Sequence, residues 1–227
     1  MKKIGVLLSG SGVYDGSEIH EAVLTLLAIA QKGAKAVCMA PDVNQHHVVN
    51  HTNGEEMNET RNVLVESARI ARGEIQDVKS VDLSELDALA IPGGFGTAKN
   101  HTDWAFNGPD GTINGDVQAL IREMVDAKKP ILAMCMGPTT VAKALQDSAV
   151  HATLSVGTDQ EASPYEIDAI SQGMEKAGAK PVMKTVREIA IDEENKIISA
   201  PCYMMEANIV DVHNNIQQAV DALMDLI

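Results

Sequence analysis

Positive charge and long apolar runs are both scarce in this sequence. It has 18 Lys and Arg residues against 32 Asp and Glu residues, which gives a formal net charge of -14. Such a chain repels nucleic-acid phosphates and anionic lipid surfaces, so we expect neither as a partner. No apolar run approaches the roughly 18 residues of a membrane helix, and the opening MKKIGVLLSG is shorter than a signal peptide's apolar region. We therefore expect a cytoplasmic protein.

Cysteine is also sparse, and the common cofactor motifs are missing. The three cysteines, Cys38, Cys135 and Cys202, show no CxxC spacing, so neither a disulfide framework nor a zinc knuckle is predicted. No GxGxxG or GK[ST] motif occurs, which disfavours nucleotide binding. Histidines cluster in the polar stretch 42–53, but no HxxxH motif shares a helix face with a carboxylate. We expect no cofactor and no metal.

The chain does contain a regular alternation of short apolar runs and amphipathic segments. The first apolar runs are continuous rather than alternating, as in sheets that are covered on both faces. The predicted strands cover residues 3–9, 34–40, 85–91, 130–134 and 153–156, with a strand-rich stretch at 182–200, and the predicted helices cover 17–33, 57–71, 114–126, 137–145, 164–177 and 204–226. This pattern predicts a flavodoxin-like α/β/α sandwich with a mostly parallel sheet. No linker or repeat divides it, so we expect a single domain over residues 1–227.

Three loops of this fold are candidates for chemistry. In open α/β sheets, ligand sites lie at the carboxyl ends of the strands, where residues 9–21, PGGFG at 92–96 and MCMGP at 134–138 are expected to meet. Cys135 lies between a predicted strand and a predicted helix, where backbone N–H groups favour a thiolate. A free cysteine is more commonly a packing residue. Its position alone therefore gives the functional and structural interpretations equal weight.

The other candidate residues are less specific. The backbone N–H groups of Gly94 and Met136 are candidates for an oxyanion hole, with Gly93 as a further substrate-binding position, although glycine clusters also serve tight turns. Glu21, in the first turn of a helix, could share a proton with a buried thiol. An acidic residue in the first turn also complements the helix dipole. Glu18 is as good a candidate as Glu21 for the residue beside the thiol. The residues alone favour the dipole interpretation.

Taken together, these motifs resemble the DJ-1/PfpI superfamily. The resemblance rests on MCMGPTT at 134–140, on PGGFG and on an acidic helix start, while segments 5–34 and 59–75 are similar to the narrower ElbB branch. It implies a class I glutamine amidotransferase-like fold and a homodimer.

Carried over by position, the resemblance assigns a role to four residues. The nucleophile is Cys135, the glutamate that hydrogen-bonds it is Glu21, and the oxyanion donors are Gly94 and Met136. Glu21 is selected over Glu18 by counting back from the end of the first helix. The catalytic apparatus implied is a cysteine–glutamate dyad.

One family feature is missing. Many superfamily members have a histidine downstream of the cysteine, but this chain has LSVGTDQ at 154–160, with Thr158 or Asp159 in its place and His151 too early. A hydrolase needs a base that takes and returns the nucleophile's proton. The departure therefore disfavours peptidase activity and glutamine hydrolysis.

A dyad suffices for less demanding chemistry. The resemblance to the ElbB branch implies a cofactor- and glutathione-independent glyoxalase, a lyase that converts a small aldehyde substrate, glyoxal or a similar 2-oxoaldehyde, to a hydroxy acid through a hemithioacetal on Cys135. Glu21 would move the protons. Three alternatives remain open: a deglycase, a redox-sensing protein whose thiolate oxidises readily, and a scaffold retained for assembly. The ElbB branch is also linked by name to isoprenoid biosynthesis.

Overall fold

The computed structural model describes residues 1–227 and has a seven-stranded sheet at its centre. The strands are β1 Lys3–Leu7, β2 Lys35–Ala40, β3 Val49–Asn50, β4 Glu55–Glu56, β5 Ile75–Asp77, β6 Ala88–Ile91, β7 Ile131–Met134, β8 Thr153–Leu154, β9 Lys180–Pro181, β10 Ala190–Asp192 and β11 Ile197–Ala200. The helices are α1 Ile19–Gln31, α2 Val63–Ile70, α3 Trp104–Asn107, α4 Gly115–Asp126, α5 Gly137–Leu145, α6 Ile167–Lys176 and α7 Ile209–Asp225.

The main sheet has the strand order β10-β11-β7-β6-β1-β2-β5 and is parallel except at β10, which pairs antiparallel with β11. Every residue of β6, β7 and β11 is buried, as expected of strands with helices on both faces. One cluster of 52 buried apolar residues forms the core. The predicted α/β sandwich with a mostly parallel sheet is confirmed. None of its helices combines the length and apolarity needed to cross a bilayer.

Two predicted helices begin later than expected. The helix predicted from residue 57 starts at Val63, because the Asn62 side chain accepts a hydrogen bond from the Val65 N–H and caps it there. Residues 57–62 instead connect the β3–β4 hairpin, which ends at Glu56, to this helix. The helix predicted from residue 204 starts after Asn208, which forms a capping box with Asp211.

The start of α1 and the sheet edge also differ from the prediction. Ser17 is not the N-cap of α1, because its hydroxyl accepts a hydrogen bond from the Ser9 N–H at 2.9 Å. Glu18 caps the helix instead, with its carboxylate 2.7 Å from the Glu21 nitrogen. β5 was not predicted, since three residues are too few to show a period.

The register of the inner strands brings four loops to one edge of the sheet. Ile91 pairs with Ala133, and Ala200 pairs with Met134, so β6, β7 and β11 end side by side. Because parallel strands share their carboxyl ends, the loops that follow them also meet. The sequence predicts three of these loops. The fourth, after β11, proves equally close to Cys135.

Candidate active site

Cys135 forms a sharp turn between β7 and α5. Its φ angle is +54°, in the left-handed region that costs a residue with a side chain about 1–2 kcal/mol. Its N–H donates to the Ala200 carbonyl at 2.9 Å, and a Cβ on Gly137 would lie 2.9 Å from the Ile91 carbonyl oxygen, so the turn packs closely on β6. Only 5% of Cys135 is exposed. The structure places it at the predicted strand-to-helix turn.

Glu21 lies fully buried beside this cysteine, since a Cβ added at Gly93 would come within 2.7 Å of both the Cys135 sulfur and a Glu21 carboxylate oxygen. One carboxylate oxygen accepts the Gly93 N–H at 3.0 Å, and the other accepts the Tyr203 N–H at 3.2 Å. Glu18, which had an equal claim from sequence, is the helix cap. The structure therefore separates the two acids, with Glu18 serving the helix terminus and Glu21 facing the thiol.

The predicted oxyanion donors converge on the same sulfur. The backbone N–H groups of Gly94 and Met136 both lie close enough to the Cys135 thiol to interact with it. Gly94 has a φ of +98°, a conformation that glycine adopts without strain. The N–H of Gly93 is engaged by Glu21 instead, which leaves Gly94 and Met136 as the two donors beside the nucleophile.

Gly93 matters here because a side chain would not fit. A Cβ there would overlap the Cβ of Cys135 and lie 2.7 Å from its sulfur and 2.5 Å from the Glu21 carboxylate. We expect Gly93→Ala to lower the free energy of unfolding by about 1–3 kcal/mol and to change the alkylation rate of Cys135. Gly115→Ala is the matched control, because a Cβ at Gly115 meets nothing within 4 Å. Equal denaturation midpoints for the two variants would contradict this account.

The protonation of this pair differs from the sequence-based expectation of a low-pKa thiolate. Burial raises the pKa of Glu21 to about 8. Burial, followed by repulsion from Glu21, raises the pKa of Cys135 well above its usual value, against the lowering effect of the Gly94 and Met136 N–H groups. Desolvation outweighs the helix terminus because no water remains to screen either group. At neutral pH the pair holds its protons.

A pH dependence of thiol reactivity follows. Below about pH 8 the Glu21–Cys135 pair holds two protons, and above it one proton is shared between oxygen and sulfur, which gives a thiolate fraction. We expect the iodoacetamide labelling rate of Cys135 to rise as the pH increases through about 8. Cys38 is an internal reference, because burial raises its pKa to about 11. Mass spectrometry would follow both sites; a rate for Cys135 that rises only together with that of Cys38 would contradict the shared proton.

A cleft of about 420 Å³ lies near the pair and is separated from it by residues such as Tyr203, since neither Glu21 nor Cys135 lines it. Tyr203, which holds Glu21 through its N–H, lines this cleft, and so does Tyr165, whose pKa is raised to about 12, first by burial and then by the nearby charges of Cys135 and Glu21. The remaining polar lining includes Tyr14, His20, Glu18 and Glu206, with no Lys or Arg. The cleft is therefore aromatic and acidic.

Tyr203 and His20 were not predicted to belong to the site. The signal that could have identified Tyr203 is its position directly after β11, which is the sheet neighbour of β7. His20 precedes Glu21 in the first turn of α1 and could have been included with it. Cys202, interpreted from sequence as a packing residue, is fully buried and donates its N–H to Asn215 at 3.0 Å.

None of the three residues considered as substitutes for the family histidine lines this cleft. Thr158 is buried, with its N–H directed at the sulfur of Met205. Asp159 is exposed and does not line the cleft. The ring of His151 is bonded to the Gly178 carbonyl at 2.8 Å, also outside the cleft.

Comparison with known proteins identifies relatives over the whole chain, although no family model matches it. The rat protein named "ES1 protein homolog, mitochondrial" is 39% identical over 228 residues, covering 99% of this chain and 84% of the relative. The human "Glutamine amidotransferase-like class 1 domain-containing protein 3, mitochondrial" is also 39% identical over 228 residues, covering 99% of this chain and 83% of its own length.

Solved structures agree in fold. The crystal structure of an isoprenoid biosynthesis protein with an amidotransferase-like domain from Ehrlichia chaffeensis superposes with a TM-score of 0.90 at 34% identity, covering 100% of this chain and 99% of that one. Glyoxalase III from Candida albicans (TM-score 0.62, 16% identity, 97% of each chain) and Drosophila melanogaster DJ-1beta (TM-score 0.54, 13% identity, 99% and 95%) are similar in fold alone.

The relatives correct one prediction. The rat and human proteins are both named as mitochondrial, so the prediction of a cytoplasmic location is wrong. It relied on the lack of an apolar signal region. That criterion cannot detect mitochondrial targeting, because mitochondrial transit peptides are amphipathic and Arg-rich rather than apolar.

The cysteine at the turn after β7 and the buried glutamate beside it are the residues that the resemblance implied. A 39% identity over 99% of the chain is far more than a shared fold requires. The chain belongs to the DJ-1/PfpI superfamily of class I glutamine amidotransferase-like proteins, together with the ES1 and ElbB-like proteins.

Proposed function

We propose that the protein, as a single domain, is a cofactor-independent glyoxalase that converts glyoxal or a similar small 2-oxoaldehyde to a hydroxy acid. The observation that carries this proposal is the fully buried Glu21 beside Cys135, near an open cleft. A thiol paired with a carboxyl group that exchanges its proton near pH 8 can both add to an aldehyde and move protons afterwards. The fold neighbour from Candida albicans named glyoxalase III supports the same chemistry.

The first step is addition of the thiol. Starting from the singly protonated pair, the sulfur of Cys135 forms a bond to one aldehyde carbon, and the proton held by Glu21 passes to the aldehyde oxygen. The product is a hemithioacetal. The N–H groups of Gly94 and Met136, which lie beside the thiol, would stabilise the oxygen as it gains charge.

The second step is an internal rearrangement. The carboxylate of Glu21 removes the hydrogen from the sulfur-bearing carbon, and a proton returns to the neighbouring carbon, so that the first carbon becomes a thioester and the second an alcohol. Water then hydrolyses the thioester and restores the thiol. One carbon is oxidised, the other is reduced and one water is consumed, so the balance needs no external oxidant or cofactor.

The cleft supports an uncharged substrate. Its lining contains the carboxyl groups of Glu18 and Glu206 and no Lys or Arg, so anionic aldehydes such as phosphate esters are repelled. Its volume suits a small molecule together with water. Glutamine hydrolysis is less well supported, because no histidine adjoins the thiol as a base for the leaving ammonia.

The decisive experiment is product counting. Carbon-13-labelled glyoxal, incubated with the protein in glutathione-free and amine-free buffer, should yield glycolate by NMR in large excess over the protein. Capture of glyoxal by surface thiols and amines is stoichiometric, so a glycolate yield that stops at the amount of protein would refute catalysis. Heat-denatured protein gives the background rate.

Redox sensing is the second candidate. The burial of Cys135 and its raised pKa disfavour rapid oxidation, which requires an accessible thiolate. Mass spectrometry after mild peroxide treatment separates the two functions. Oxidation confined to Cys135, in a protein without glyoxal turnover, would favour sensing over catalysis.

A further inference from the structure

His20 and Tyr203 form a hydrogen-bonded pair at the mouth of the cleft. The Nδ1 of His20 lies 2.9 Å from the Tyr203 hydroxyl, and the two rings are tilted by 49° with centroids 5.9 Å apart. Both residues line the cleft, and His20 is exposed to solvent. The N–H of Tyr203 donates to the Glu21 carboxylate, so one residue contacts both the imidazole and the buried acid.

The buried pair lacks a partner that can exchange protons with water. Glu21 is fully buried and Cys135 nearly so. Burial raises the pKa of Tyr165 to about 12 and also raises that of Tyr203, so their hydroxyls stay protonated at neutral pH. Among the side chains that line the cleft, an imidazole is the one whose chemistry lets it donate and accept a proton in a single cycle near neutrality.

We propose that His20, positioned by Tyr203, is the proton carrier on the solvent side of the cleft and serves the substrate oxygens while Glu21 serves the substrate carbons. This inference rests on the proposed glyoxalase function. It gives the protein a two-sided acid–base system, with a buried carboxyl group beneath the substrate and an exposed imidazole above it.

Glu21 and His20 together can carry out every proton transfer of the rearrangement, so no other group is needed. As Glu21 removes the hydrogen from the sulfur-bearing carbon of the hemithioacetal, protonated His20 donates to the oxygen of the second carbonyl, and an enediol forms. His20 then takes the proton of the first hydroxyl, and Glu21 returns its proton to the second carbon. The products are the thioester and an alcohol, with both side chains back in their starting states.

Tyr203 is the positioning residue in this arrangement. Its hydroxyl fixes the Nδ1 side of the ring, which leaves Nε2 free for a substrate oxygen. Its N–H holds Glu21 at 3.2 Å, so the imidazole and the carboxyl group are both oriented by one residue of the loop that follows β11. Glu18 and Glu206 are the carboxyl groups that line the cleft together with His20.

The test uses His20→Ala in the full-length protein. We expect kcat/KM for glyoxal to fall roughly 100-fold, while the iodoacetamide labelling rate of Cys135 stays within about twofold of the parent, because the buried pair is intact. Added imidazole should restore much of the lost rate, since His20 is exposed and its removal opens a space to solvent. A merely structural histidine would show no such rescue.

His151→Ala is the matched control, because His151 is also exposed and also bonded through Nδ1, but lies outside the cleft. It should keep the parent rate and show no response to imidazole. Tyr203→Phe should reduce turnover less than His20→Ala does, and the double variant should match His20→Ala alone, because the two groups act as a unit.

The outcomes are separable. If the parent protein converts glyoxal and His20→Ala converts it equally fast, or if imidazole fails to rescue a slowed variant, this inference is overturned and the proposed function stands. If the parent protein yields no glycolate beyond stoichiometric capture, both are overturned.

Discussion

Cys135→Ser should lower the rate of glyoxal conversion at least about 1000-fold, the loss expected when an essential nucleophile is removed. Serine keeps nearly the size of the side chain and its place beside the Gly94 and Met136 N–H groups. An alcohol, however, has a much higher pKa than a thiol and has no histidine here to activate it. The measurement is glycolate formation by NMR at saturating glyoxal, with the folded state checked by thermal denaturation.

The control is Cys38→Ser, which replaces a second buried thiol far along the sheet in β2. It should retain turnover per folded molecule, whatever its effect on stability. If Cys135→Ser and Cys38→Ser kept equal rates, the cysteine at the turn would not be the nucleophile.

Glu21→Gln should reduce turnover by roughly 100- to 10,000-fold, the range for loss of a general acid–base group. The amide has nearly the same shape but carries no exchangeable acidic proton. Both carboxylate oxygens accept backbone N–H groups, from Gly93 and Tyr203, so the amide nitrogen must also face a donor. The rise of Cys135 labelling through about pH 8 should vanish as well, because the group that titrates there is gone.

Glu66→Gln supplies the comparison. Glu66 is likewise buried in the first turn of a helix, but its partner is Arg69 rather than a thiol. It should leave both turnover and the pH profile of Cys135 labelling unchanged. Retained turnover in Glu21→Gln would show that proton transfer does not pass through this residue, even if the protein remains folded and Cys135 remains reactive.

Much of the fold follows from local sequence patterns. The continuous apolar runs at β1, β6 and β7 predict strands covered on both faces, and the model buries every residue of β6 and β7. Strands of two or three residues, such as β5 and those of the β3–β4 hairpin, are not predicted from sequence because they are too short to show a hydrophobic periodicity. The predicted start of α1 is wrong because the Ser17 side chain has a competing partner: its hydroxyl accepts a hydrogen bond from the Ser9 N–H and does not cap the helix.

The sequence by itself placed Cys135 between a strand and a helix and brought the 92–96 loop to the same edge, because parallel strands share their carboxyl ends. The residues alone left Glu18 and Glu21 equal, and the family resemblance selected Glu21; only the tertiary structure raised the pKa of the buried pair and brought Tyr203 to His20 across 183 positions of the chain. Spacing along a helix cannot distinguish a carboxylate that caps its own backbone from one that faces another strand. Burial and long-range contacts make that distinction, since they depend on which surfaces the folded sheet closes over.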